Sequence, residues 1–91
     1  MLNQLIIEED GVSVSRKYLA LLHHALQAAG VCNGRLAVGG IDAVPDMFYL
    51  LWHESGEAPV SMLTRRECFE SEEGIRDVAE EFLAKWRQRI S

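Results

Sequence analysis

The residues able to do chemistry are few in this chain, and their spacing matches no catalytic or metal-binding signature. His23 and His24 are neighbours. Two metal ligands on one helix sit three or four residues apart, whereas adjacent helical residues diverge by about 100°. His23 instead groups with Arg16, Ala20 and Gln27 on the expected solvent face. Cys32 and Cys68 form no Cys-x-x-Cys pair, and a zinc site would have to recruit Cys32, His53 or Cys68 from elsewhere in the chain, which no spacing supports. A Cys/His nucleophile would need one of the two thiols beside a histidine that a third residue orients. Both residue types are present, without a local signature. Asp42 and Asp46 flank the Val44-Pro45 break, where they could converge on a cation, although aspartates at such breaks more commonly serve turns. Gly39-Gly40 lacks the context of a phosphate-binding loop and reads as a turn or a bulge. No catalytic, cofactor-binding or metal-ligating residue is therefore assigned, and no cofactor is expected.

Charge narrows the partners. The 91 residues carry 14 acidic against 9 basic side chains, a net charge of -5. Nucleic-acid binders draw most of their affinity from basic patches that neutralise phosphates. Here the bases are scattered: Arg16-Lys17, Arg35, Arg65-Arg66, Arg76, and Lys85, Arg87 and Arg89. Between Glu67 and Glu81 lie seven acidic residues and one basic, Arg76. Such a run is either a solvated helix face or an acidic docking face for a basic partner. Two lone cysteines fit reduced thiols in a cytoplasmic protein. The opening residues do not read as a signal peptide, and no apolar run approaches the 18 residues of a membrane span.

The elements that must position these residues follow from periodicity. Leu5 to Glu8 reads as a strand, with Asp10-Gly11 as a turn into a second short strand, Val12 to Ser15. Arg16 to Ala29 reads as a helix. Ser15 is its N-cap, Tyr18, Leu19, Leu22, Ala25, Leu26 and Ala29 are its apolar stripe, and Gly30 then Val31 form its stop. Asn33-Gly34 and Gly39-Gly40 bracket a short Arg35 to Val38 strand, and Pro45 marks a further break. Met47 to Trp52 is apolar at every position, as in a strand covered on both faces. Val60 to Thr64 returns antiparallel to it after a turn at Glu54 to Glu57. Ser71 caps a last helix whose stripe is Ile75, Val78, Ala79, Phe82, Trp86 and Ile90. The expectation is one domain over 1–91, a two-layer α+β fold in the order β-α-β-β-β-α. Its small, mostly antiparallel sheet is packed by two amphipathic helices. The rival is an all-α chain with short helices at 46–53 and 60–69.

One segment carries a family resemblance. Val14-Ser15-Arg16-Lys17-Tyr18-Leu19, then Leu22, Leu26, Ala28-Ala29-Gly30-Val31 and Gly39-Gly40-Ile41, resembles the recognition helix and wing of winged-helix repressors of the iron–sulfur-regulator type. The resemblance covers Val14 to Ile41 and implies DNA contact through Ser15, Arg16, Lys17 and Tyr18. Only 13 residues precede Val14, and the cluster cysteines and the Arg-Gly step of the wing are absent.

The expectation that weighs most comes from the aromatic strand. Two helices cover one face of a small sheet, so the other face of Met47–Trp52 would lie open as a contact surface. The chain is accordingly expected to be a non-enzymatic binding or regulatory module that meets a protein partner, with a homodimer as one form. Tyr49, Leu51 and Trp52 would make one contact and Glu70, Glu72 and Glu73 the second. The alternatives are a nucleic-acid-binding regulator using Arg16, Lys17 and Arg35, and a small Cys/His enzyme.

Overall fold

Alternation along the aromatic segment decides where the core lies. Phe48, Leu50 and Trp52 are buried, while Met47, Tyr49 and Leu51 between them are only half-buried. A period of two with one dry face belongs to a strand packed on one side. The computed structural model describes residues 4–89. It contains strand β1 (Leu5–Asp10), helix α1 (Arg16–Ala28) and strands β2 (Gly34–Ile41), β3 (Val44–Glu54) and β4 (Val60–Arg65). A 3₁₀ turn (Arg66–Glu70) then leads to helix α2 (Glu72–Gln88). This is the expected α+β order, and the all-α rival is set aside.

The sheet order is β1-β2-β3-β4. β2, β3 and β4 form an antiparallel meander, with Leu36 opposite Trp52 and Leu50 opposite Met62. β1 runs parallel to β2, Leu5 facing Gly34 and Asp10 facing Gly39, so α1 is the crossover of a β-α-β unit. The expected opening hairpin is thereby corrected. Val12 and Val14 lie outside any strand and pack half-buried against the core. The Val14 N–H donates to the Glu9 carboxylate at 2.7 Å, which turns the chain toward α1.

Both helices lie on the face that carries Leu5, Leu36, Val38, Phe48, Leu50, Trp52, Val60 and Met62. α1 contributes Leu22 and Leu26, and α2 contributes Ile75, Val78, Ala79 and Phe82, all buried in one cluster. Trp52 meets Phe82 edge-on at 6.2 Å between ring centroids, a favoured aromatic geometry. Ile90 of the expected stripe lies outside the described residues. At the foot of the β3–β4 hairpin, Arg89 donates to Glu54 at 2.9 Å and pairs with Glu57 at 3.3 Å, tying the end of α2 to the sheet.

The helix ends separate two correct expectations from one incorrect. After α1, Gly30 takes a φ of 97° and donates to the Gln27 carbonyl, while the Val31 N–H donates to that of Leu26. This left-handed stop needs glycine because a β-carbon would strain it. Ser71 caps α2 through its hydroxyl, which accepts from the Gly74 N–H at 3.0 Å. Ser15 makes no such side-chain bond; its carbonyl accepts from Tyr18 and Leu19 instead.

Gly39-Gly40 is not a turn. Both residues lie within β2, which turns at Asp42-Ala43, and the ladder shifts register between Gly40 and Ile41. Pro45 stands opposite that irregularity, where no residue of β2 or β4 pairs with it, so β3 tolerates its missing N–H.

Candidate functional site: an open sheet face and its free edge

With both helices on one side, the other side of the sheet is left to alternate residues of four strands. Register sets them in rows. Ile6, Arg35 and His53 form one, Glu8, Ala37, Leu51 and Ser61 the next, and Asp10, Gly39, Tyr49 and Leu63 the third. Met47 and Arg65 close the face beyond Tyr49 and Leu63. The middle of this surface is apolar. Ala37, Leu51 and Tyr49 are half-buried, Ile6 is 38% exposed and Leu63 is 58% exposed. Burying a leucine or tyrosine of this kind is favourable in proportion to the area removed from water.

Polar groups frame the patch and fix Tyr49. The side chain crosses from β3 over β2 to β1, and its hydroxyl donates to the Asp10 carboxylate. It can lie flat because its cross-strand neighbour is Gly39; a β-carbon there would collide with the ring. The hydrogen bond to Asp10, with partial burial and the carboxylate's charge, holds the Tyr49 hydroxyl above its ordinary pKa. Arg35 donates to Glu8 across the same face at 3.1 Å, a solvated pair that orients more than it stabilises.

The expected contact residues divide between the two faces. Tyr49 and Leu51 lie on the open one. Trp52 does not: it is fully buried under α2, with its indole N–H donating to Glu54 at 3.2 Å. Successive strand residues point to opposite faces, so Leu51 and Trp52 can never share one. Glu70, Glu72 and Glu73 are exposed, at the end of the 3₁₀ turn and the start of α2. Ile6 and Leu63, the most exposed apolar side chains of the face, escaped the sequence reading. Their signal was the phase of the strand: in Val60-Ser61-Met62-Leu63-Thr64-Arg65, Leu63 falls out of step with buried Val60, Met62 and Thr64.

The remaining chemistry-bearing residues are dispersed. Cys32 precedes β2 and Cys68 follows β4; because β2 and β4 run the same way, the thiols lie at opposite ends of the sheet, and they are unbonded. His23, expected in solvent, is half-buried, and its Nε2–H donates to the Leu5 carbonyl at 2.9 Å, joining α1 to β1. Among the described residues, no three His, Cys, Asp or Glu side chains converge as a metal site. Arg16 and Lys17 open α1, on the helical side; Arg35 sits on the other face near the opposite ends of the parallel strands, paired with Glu8. The segment likened to a winged helix is thus the crossover helix α1 and strand β2, with Gly39 and Gly40 inside β2 and not in a wing. No described helix is long and apolar enough to cross a membrane. No protein-family model, curated protein or solved structure matches the chain.

Proposed function

We propose that this chain is a non-enzymatic protein-binding module. It works through the open face of its sheet, with the exposed acids Glu70, Glu72 and Glu73 as a second patch. The observation that supports this reading is the run of apolar side chains, Ile6, Ala37, Tyr49, Leu51 and Leu63, on a face that neither helix covers. A second copy of the chain fits such a surface. Four strands spaced about 4.8 Å apart and about 20 Å long give a flat footprint of about 400 Å², the small, reversible end of protein contacts.

The test is the solution mass of the wild type and Leu51→Arg, by light scattering from micromolar to millimolar concentration. Self-association in the wild type, lost in a variant that still unfolds in one cooperative transition, supports the reading. A wild type that stays at the mass of one chain, and binds an apolar-surface dye no better than the variant, overturns it.

A further inference from the structure

A sheet with an open face also has two edges, and here the edges differ. On β1, every acid is engaged: Glu8 by Arg35, Glu9 by the Val14 N–H and Asp10 by Tyr49. Three charges in six residues blunt that edge. At the other end of the sheet, no described residue pairs with the outer side of β4. Its stretch Ser61-Met62-Leu63-Thr64 carries neither charge nor proline, so its outward N–H and C=O groups are a template for another strand.

The ground beside this edge is acidic. A groove between β4 and α2 is lined by Leu63, Thr64, Arg65, Glu67, Asp77 and Glu81, with Arg65 paired to Glu67 at 3.1 Å; Glu73 lines an adjoining hollow between the 3₁₀ turn and α2. Glu73, Asp77 and Glu81 are exposed and, among the described residues, have no ion-pair or hydrogen-bond partner. They recur every fourth residue, so they form one row along α2. Four helical residues rise about 6 Å, and two strand residues span about 6.7 Å. The row therefore keeps step with every second side chain of an extended segment.

We infer that the free edge of β4 takes up an extended basic segment of a partner protein as a fifth strand, with alternate Lys or Arg side chains facing Glu73, Asp77 and Glu81. The inference rests on the protein-binding reading but uses the edge where that reading uses the face. The segment's other side chains would extend the open face beside Leu63. Main-chain pairing gives affinity, and the charge row selects basic over acidic segments.

The probe is an end-blocked decapeptide alternating Lys and Val, titrated calorimetrically at low salt. It should bind, and the same peptide with Glu for Lys should not. The combined change Glu73→Gln, Asp77→Asn and Glu81→Gln should weaken it about tenfold, the sum of three modest exposed charge contacts. N-methylation of alternate amides should abolish binding in one register and spare it in the other, because only one set faces β4. Leu51→Arg, on the neighbouring strand, should bind as the wild type does. Failure of the Lys–Val peptide to bind, equal binding by both methylated registers, an unaffected triple variant, or loss of binding in Leu51→Arg each overturns the inference. Because Leu51→Arg removes the face contact and spares the edge, failure of the face reading is seen separately.

Discussion

Two aromatic rings on one strand show how differently the faces of this sheet are built. Trp52 and Tyr49 both belong to β3, and each lies over a glycine of β2, Gly34 for the tryptophan and Gly39 for the tyrosine. On the helical side, Trp52 is fully buried, edge-on to Phe82, with its N–H on Glu54. On the open side, Tyr49 is half-buried and held by one hydroxyl contact to Asp10. The same local device, a large ring seated on a residue without a side chain, serves packing on one face and leaves a presentable surface on the other. What separates them is the cover supplied by α2, which no residue of β3 encodes.

Truncation should expose the difference most. Trp52→Ala opens a cavity under α2 and should cost about 3–5 kcal/mol, a large part of the stability of a domain this size. Tyr49→Ala leaves no enclosed cavity and should cost about 1 kcal/mol. Chemical denaturation of the two variants checks this. Equal losses would mean that the open face is packed as tightly as the core.

The paired glycines sharpen the same contrast. A β-carbon on Gly34 would lie 2.5 Å from the His53 carbonyl oxygen and 2.5 Å from Cζ2 of Trp52, neither of which can move without disturbing the ladder or the core. Gly34→Ala should cost about 1–3 kcal/mol through overpacking. Gly39→Ala meets only the outer half of the Tyr49 ring, which can swing into solvent. It should cost under about 1 kcal/mol and release the hydroxyl from Asp10. Thermal midpoints, with the tyrosine absorbance of Gly39→Ala, separate the two outcomes.

How much of this was legible in the sequence follows from where each signal is stored. The α2 stripe, the Ser71 cap and the Gly30 stop are local, so pattern alone places them. The uniform apolarity of Met47–Trp52 fitted a strand and a buried helix alike and hid the phase, because every position reads as core. Only the pairing of Leu36 with Trp52 and Leu51 with Ala37 assigns each residue a face, and that pairing is long-range. The Gly39-Gly40 dipeptide, expected as a turn or a bulge, is no turn but lies beside the register shift at Gly40/Ile41. Its glycine is required by a ring ten residues away, not by a turn. The acidic row of α2 was visible as composition, but that Asp77 and Glu81 share a groove with Leu63 and Thr64 of β4 needed the fold.

Titration of Tyr49 is a smaller lever. Its pKa is raised in the fold, first by its hydrogen bond to Asp10 and then by burial and the carboxylate's charge. A raised pKa means that the folded chain holds the proton more tightly than the unfolded one. The contribution is present below the ordinary tyrosine pKa of about 10 and is lost as pH rises through the folded value. Tyr49→Phe should cost about 0.5–1 kcal/mol near neutrality and flatten the alkaline fall in stability. An alkaline slope identical to the wild type would show that the hydroxyl contact to Asp10 is absent in solution.

Leu63→Lys should have the smallest effect on the fold and a large one on the face. Leu63 is 58% exposed, so its removal forfeits little burial, and a lysine on an edge strand is well tolerated. Stability should stay within about 0.5 kcal/mol of the wild type. Self-association through the open face should nevertheless fall, because the substitution places a charge in the row of Tyr49, at the rim of the apolar patch. Unchanged stability together with lost association would show that Leu63 is kept apolar for a contact outside its own chain. Unchanged association would confine the contact to Ile6, Ala37 and Leu51, nearer the β1 side of the sheet.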